Sequence, residues 1–225
     1  MREFNLLSEY PSPKDPRYVS ETLRTIENRI KATYRDRIFF DGNRENGYGG
    51  FIYDGRWQKL AKKIIQEYNL DNNSSFLHIN CEKAFLIHDL LSINEKINTL
   101  GVENSNYAID KAFGSSKNKI IKSDYLDINQ KSNSFDFVLA IGVVYAFNLK
   151  DAIKSIKEIK RLSKKNSFIT LASYNDKDEY DLFKKWTLLG TTILREDEWV
   201  KVLKHCDYNG DYCFTNAKTL NLIHK

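Results

Sequence analysis

Short apolar runs and amphipathic stretches alternate along most of the chain. The clearest helix is predicted over residues 57–68, where apolar side chains recur at helical spacing on one face. Residues 150–163 repeat that pattern, with lysines on the outward face. The most apolar run, FDFVLAIGVV within residues 134–144, predicts a central strand that is buried on both faces. This alternation predicts a Rossmann-like, doubly wound α/β sheet with mostly parallel strands.

A strand, a turn, a helix and a second strand follow one another between residues 76 and 103. Residues 76–80 are a short apolar run, and the strand predicted over residues 97–103 ends in Glu103. A carboxylate thus stands about twenty residues after the turn, where doubly wound domains bind the ribose of a nucleoside. The glycines usual in such a turn are replaced here by Asn80, Glu82 and Ala84.

The C-terminal part of the chain departs from this alternation of strands and helices. Further strands are predicted over residues 119–123 and 166–173, and helices over 178–189 and 196–205. Two last strands, at 211–215 and 219–224, are separated only by the residues NAK. Such a short connection predicts a C-terminal antiparallel hairpin.

Residues 1–56 differ in composition from the rest and are predicted to form an N-terminal extension, with the main domain at 57–225. A helix is predicted over residues 20–34, with Ser20 as its N-cap. Residues 42–55 hold five of the ten glycines, which predicts a loop with positive φ in several places. Aromatic residues and arginines in this zone fit either a binding lid or an extension packed on the main domain.

Charge and cysteine content narrow the function classes. The net charge is +5, but the basic residues are dispersed, so no nucleic acid partner is expected. The three cysteines have no metal-ligand spacing, so no metal site is expected, and a cytoplasmic location is favoured. No apolar run reaches the length of a membrane span. The oligomeric state stays open.

Five segments carry a resemblance to a known family. They are NGYGGFIYDGRW (46–57), FLHINCEKAFLIHDL (76–90), GVENSNYAIDKA (101–112), NSFDFVLAIGVVYAFNL (133–149) and YNGDY (208–212). Through them the chain resembles class I S-adenosylmethionine-dependent methyltransferases. More narrowly, it is similar to bacterial methyltransferase-domain proteins of capsule and surface-polysaccharide biosynthesis.

The resemblance implies S-adenosyl-L-methionine as cofactor and assigns residues to it. The cofactor-binding residues it implies are His78, Asn80, Cys81, Glu82 and Ala84 in the loop, Glu103 and Asn104 at the ribose, Asp124 and Tyr125 beside the adenine, and Ala140 and Gly142 after the fourth strand. Asp124 fits a simple turn equally well. Tyr48, Tyr53, Arg56 and Tyr145 are the predicted substrate contacts. Arg24, Arg35 and Arg56 fit either anion binding or attachment of the extension.

The expected reaction is methyl transfer to a small polar substrate that is linked to a sugar or a phosphate. No catalytic base is evident, and Glu103 is expected to point into a polar cleft. The altered loop favours an alternative, a catalytically inactive protein of the same fold that acts as a partner or scaffold. A nucleotide-sugar enzyme would need a glycine-rich phosphate loop, which the sequence lacks.

Overall fold

A largely parallel sheet runs through the computed structural model, which describes residues 1–225. The strands are β1 (Arg2–Glu3), β2 (Arg17–Val19), β3 (Ser75–Ile79), β4 (Asn98–Glu103), β5 (Ile120–Lys122), β6 (Phe135–Ala140), β7 (Ser163–Tyr174), β8 (Leu194–Arg195), β9 (Asp211–Thr215) and β10 (Leu222–His224). The main sheet has the order β1-β9-β7-β6-β3-β4-β5, and β8 pairs with β7. Every pairing is parallel. The predicted doubly wound α/β fold is confirmed.

Helices cover both faces of this sheet. They are α1 (Ile26–Thr33), α2 (Arg37–Asp41), α3 (Gln58–Glu67), α4 (Phe85–Ile93), α5 (Asn106–Asp110), α6 (Leu149–Leu162), α7 (Lys177–Trp186) and α8 (Glu196–His205). One large apolar cluster joins the sheet to α6 and α8, and the other joins it to α3 and α4. All six residues of β6 are buried, and Phe137 and Val138 belong to opposite clusters. The prediction that this strand is central and buried on both faces is confirmed.

The predicted C-terminal antiparallel hairpin is wrong. Strand β9 lies between β7 and β1 in the main sheet, whereas β10 pairs with β2 in a separate two-stranded parallel sheet. Asn216 starts the turn between them, with its side chain accepting a hydrogen bond from Thr219 N at 2.9 Å. Beyond the turn, Leu222 packs with Val19 and Trp186 rather than beside β9. This apolar contact takes the last strand away from its neighbour in sequence.

The first helix starts later than predicted. It begins at Ile26, and Thr25 with Asn28 forms the capping box, so Ser20 is not its N-cap. The reason is local, because the Asn28 side chain accepts the Thr25 N–H at 2.9 Å and satisfies a free donor at the helix start. None of the helices is both long enough and apolar enough to cross a membrane.

Candidate functional site

The turn after β3 keeps the backbone of a glycine-rich loop without its glycines. Asn80, Glu82 and Ala84 have φ of 62°, 54° and 58°, all in the left-handed region. These are the three positions at which glycines were expected. A residue with a Cβ adopts this conformation at a cost of about 1–2 kcal/mol. Three such residues in one turn show that the surrounding structure enforces the loop shape.

Glu103 at the end of β4 holds this loop. Its carboxylate accepts hydrogen bonds from the backbone N–H groups of Glu82 at 2.9 Å, Asn104 at 2.9 Å and Ser105 at 2.8 Å. The Tyr125 hydroxyl donates to the same carboxylate at 3.0 Å, and burial raises the pKa of Tyr125, which keeps it protonated. The side chain of Glu103 is 0% exposed. The expectation that it points into a polar cleft is therefore wrong, because its oxygens are enclosed by these hydrogen bonds.

A residue of the N-terminal extension covers the remaining side of this carboxylate. The Arg35 guanidinium lies 3.1 and 3.2 Å from the two Glu103 oxygens and donates to Asn80 Oδ1 at 2.7 Å. Arg35 itself has φ of 47°, and its carbonyl accepts a hydrogen bond from Ser105 Oγ. The junction between α1 and α2 is thereby fixed directly above the end of β4.

A cavity of about 350 Å³ opens beside the loop, at the carboxyl ends of β3 and β6. Asn80, Glu82, Gly142 and Tyr145 line it on the side of the sheet. The N-terminal extension supplies much of the opposite wall. The remaining lining residues are Leu7, Tyr10, Pro11, Arg17, Arg35, Phe39, Arg44, Tyr48, Gly49, Gly50, Phe51, Arg56, Trp57, Ile141, Phe183, Trp186, Thr187, Leu189, Thr215 and Leu220.

Tyr145 presents a polar group to this cavity. A Cβ placed on Gly142 would lie 3.7 Å from the Tyr145 hydroxyl, so the hydroxyl faces the end of β6. Burial raises the pKa of Tyr145, which leaves the phenol neutral and able to donate a hydrogen bond. This group can orient a substrate, but it is a poor general base.

Two predicted substrate contacts differ in their placement. Tyr48 lines the cavity, and its hydroxyl accepts hydrogen bonds from Leu188 N and Leu189 N. Tyr53 does not line it. Its hydroxyl donates to Asp89, and its ring stacks on Phe113 at 4.1 Å. These contacts attach the extension to α4 and to Phe113, so the Tyr53 side chain is turned away from the cavity.

Two predicted cofactor residues are turned away from the cavity. Asp124 is exposed and accepts a hydrogen bond from Leu126 N at 2.8 Å, so it forms a turn, as the alternative interpretation held. The Cys81 side chain packs into the core, where a Cβ on Gly101 would lie 2.6 Å from Sγ. Neither side chain is therefore available to a ligand in the cavity, and Cys81 could contribute to cofactor binding only through its backbone.

Three other predicted residues lie close to the loop but outside the cavity of about 350 Å³. His78 and Ala84 line a smaller cavity of about 60 Å³ beneath it. Burial lowers the pKa of His78 to about 3, so its ring is neutral, and Nδ1 has no hydrogen-bond partner. Ala140 is fully buried in the core on the α6 side. No group of three or more His, Cys, Asp or Glu side chains is placed to hold a metal ion.

Sequence reasoning missed two arginines of the cavity. Arg17 and Arg44 line it, although neither was predicted as a site residue. Arg44 is part of the glycine-rich segment, so the segment itself was a signal. Arg24, in contrast, is buried, and its guanidinium donates to the carbonyls of Trp186 and Gly47. It attaches the extension, as one of the two interpretations held.

Glu82 is expected to make the protein less stable as the pH rises through neutrality. Burial raises its pKa from 4.5 to about 7, with the nearby Glu103 carboxylate adding to the effect. Between pH 4.5 and about pH 7, Glu82 has lost its proton in the unfolded chain but retains it in the folded protein. The free energy of unfolding therefore falls as the pH rises through this range. Glu82→Gln should therefore exceed the wild type in free energy of unfolding by about 3 kcal/mol at pH 8 and match it at pH 4.

Urea unfolding at both pH values measures this difference. Glu95→Gln is the matched control, because Glu95 is exposed on the turn after α4. A gain for Glu82→Gln that is equal at both pH values would contradict the assignment to this carboxylate.

The family model for a methyltransferase domain matches residues 70–211. The chain belongs to this methyltransferase-domain family. The match covers the strands, loop and carboxylate that form the sheet side of the cavity. It begins after the extension that supplies the opposite wall. No curated protein matches the sequence.

Solved structures with class I methyltransferase folds are similar to the chain. A chain in the complex between the Trm112 methyltransferase activator of Haloferax volcanii and a proposed methyltransferase is 13% identical, with a TM-score of 0.53 and coverage of 65% of each chain. YcgJ from Bacillus subtilis is 14% identical, with a TM-score of 0.52 and coverage of 65% of this chain and 66% of that one. A S-adenosylmethionine-dependent methyltransferase from Methanosarcina mazei is 18% identical, with a TM-score of 0.52 and coverage of 64% and 82%. The alignment with this chain covers slightly less than two thirds of the length of the first two of these proteins. At these identities, the similarity shows the fold.

Proposed function

We propose that the protein is an S-adenosylmethionine-dependent methyltransferase that acts on a small polar substrate. One observation carries the proposal. Asn80, Glu82 and Ala84 hold the backbone of a nucleoside-binding loop in a conformation that is unfavourable for their residue types. Glu103, the residue predicted for the ribose, fastens this loop through Glu82 N. Strained backbone clusters at ligand-binding sites, and this loop lies at the edge of the sheet where doubly wound folds bind ligands.

The residues around the loop fit S-adenosylmethionine, provided that the Arg35 side chain moves away from Glu103. The loop and Gly142 would lie against its amino-acid part, and Glu103, Asn104 and Tyr125 would hold its ribose. Arg35 occupies the free side of Glu103, so its guanidinium must move before ribose hydroxyls reach that carboxylate. When bound, S-adenosylmethionine supplies an electrophilic methyl group on sulfur.

The chain's own contribution to the reaction would be placement of the substrate. The cavity of about 350 Å³ is at the small end of ligand sites, and it must also receive the methyl-bearing end of the cofactor, so the room left suits only a small acceptor. Tyr145 can donate a hydrogen bond to it, and holding two reactants in attack geometry is itself a large part of catalysis. Following the narrower resemblance, we propose a sugar- or phosphate-linked acceptor of surface-polysaccharide biosynthesis.

The N-terminal extension would act as the lid of this site. Residues 1–56 supply Tyr48, Arg56 and the glycine-rich segment to the cavity wall. Lys83, just after the loop, donates to Asp41 and to the Phe51 carbonyl, which ties the extension to the main domain. We place the protein in the cytoplasm, since all three of its cysteines are free thiols.

Thermal unfolding with added ligands tests the proposed cofactor. S-adenosylhomocysteine, the demethylated product, should raise the melting temperature by about 5–10 °C at a concentration 100-fold above its Kd. NAD⁺ is the control, because a doubly wound fold with another nucleoside cofactor would respond to it. Stabilisation by NAD⁺ without stabilisation by S-adenosylhomocysteine would contradict the proposal.

A second candidate function is a non-catalytic partner protein. The ion pair between Arg35 and Glu103 favours it, because this pair uses the carboxylate on which ribose binding depends. In the Haloferax complex, a methyltransferase activator is bound to a proposed methyltransferase. A non-catalytic partner protein would keep the methyltransferase fold and bind neither S-adenosylmethionine nor S-adenosylhomocysteine.

A further inference from the structure

We propose that the mouth of the cavity beside the loop is an anion subsite, in which Arg17 and Arg44 bind a phosphate group of the substrate. As the substrate-binding part of a methyltransferase, this subsite rests on the proposed function. The binding of an anion at this subsite does not rest on the proposed function, since it depends only on the arginines of the extension.

The position of these arginines defines the mouth. Arg17, Arg44 and Trp186 line the cavity and also an outer groove of about 410 Å³, whose lining includes Lys14 and one carboxylate, Asp15. Asn80, by contrast, lines both the cavity and the small space beneath the loop. The arginines therefore stand at the outer end and the cofactor loop at the inner end. A substrate that spans the cavity would place its charged group outside and its reacting atom inside.

The charge of the cavity is unbalanced. Its charged lining residues are four arginines and one carboxylate, Glu82. Arg35 is paired with Glu103, and Arg56 is paired with Asp54. Arg17 and Arg44 have no carboxylate partner, and burial together with the nearby Arg44 charge lowers the pKa of Arg17. Two uncompensated guanidinium groups match a dianion such as a phosphomonoester.

Neighbouring groups hold these guanidiniums at the mouth. Arg17 lies over the Trp186 ring at 5.2 Å, which is a cation–π distance. Gly49 and Gly50 have φ of 76° and 80° and carry no side chain beneath the arginines. A Cβ on Gly49 would lie 3.2 Å from Arg44 Nη1, and one on Gly50 would lie 2.9 Å from Arg56 Nη1. The glycine pair thus leaves room for guanidinium groups to lie against the backbone.

Calorimetric titration at constant ionic strength tests the subsite. The probes are inorganic phosphate, glucose 1-phosphate and glucose, each added to the full-length protein. Phosphate and glucose 1-phosphate should both bind, and glucose should not. Arg17→Gln and Arg44→Gln should each weaken phosphate binding about tenfold. Arg37→Gln, an exposed arginine of the same extension outside the cavity, should leave it unchanged.

Binding of S-adenosylhomocysteine to the same samples separates the two proposals. Absence of phosphate binding in the wild type, or equal binding in Arg44→Gln, would overturn the anion subsite even if S-adenosylhomocysteine binds. Phosphate binding that needs both arginines, in a protein that does not bind S-adenosylhomocysteine, would support the subsite and overturn only the methyltransferase proposal. Arg44 is exposed and its side chain bonds to no other residue, so folding of its variant is not at issue.

Discussion

Replacing Glu103 by alanine is expected to lower the free energy of unfolding by about 3–5 kcal/mol. The carboxylate is wholly buried and is the common acceptor for three backbone N–H groups, Tyr125 and Arg35. Alanine would leave those donors without an acceptor and the Arg35 charge, whose side chain is 14% exposed, without its partner. Urea unfolding monitored by circular dichroism measures the loss.

Two further variants make this prediction specific. Glu95→Ala removes an exposed glutamate and should cost less than about 0.5 kcal/mol. Glu103→Gln keeps the side-chain volume and should fold, yet it should lose S-adenosylhomocysteine binding, because an amide places a donor where a carboxylate oxygen is needed. A Glu103→Ala protein as stable as the wild type would show that the loop does not depend on this carboxylate.

Replacing Arg35 by methionine is expected to tighten the binding of S-adenosylmethionine about tenfold. The guanidinium competes with the ribose for Glu103, and a hydrogen bond between charged groups contributes about 1.5–3 kcal/mol. Removing that competitor lowers the cost of cofactor binding by a corresponding amount. Methionine retains an aliphatic stem that can pack near Phe39 and Phe40, over whose rings the guanidinium lies.

Titration of the Arg35→Met protein with S-adenosylmethionine measures this effect, with Arg37→Met as the control. Arg37 is exposed, two residues further on, and its loss should leave affinity unchanged. Weaker binding in Arg35→Met would mean that Arg35 donates to the bound cofactor instead of excluding it. Arg35 would then not compete with the ribose for Glu103.

The elements of the sheet and the loop could be predicted because their signals are local. The apolar run 134–144 has the composition of a strand buried on both faces, and the spacing from the turn to Glu103 follows from one helix between two strands. Even the loss of glycine at Asn80, Glu82 and Ala84 did not change the loop, since Glu103 and the adjoining strand fix its backbone. There, tertiary hydrogen bonds outweigh the local preference.

The features that could not be predicted depend on contacts between distant parts of the chain. Arg35 reaches Glu103 across 68 positions in sequence, and no motif around it indicates that partner. The last strand was assigned to a hairpin from its turn residues. Packing of Leu222 against Val19 and Trp186 instead selected β2 as its neighbour. Arg17 and Arg44 meet at the cavity only because the extension folds back over the sheet.

Calorimetric titration of the wild-type protein with S-adenosylmethionine and S-adenosylhomocysteine tests the central claim most directly. We expect both ligands to bind with Kd in the micromolar range, and Glu103→Gln to lose that binding. Absence of binding up to millimolar ligand, in a protein that melts cooperatively, would contradict it. The site at the ends of β3 and β4 would then be sealed by Arg35, and the partner-protein function would be favoured.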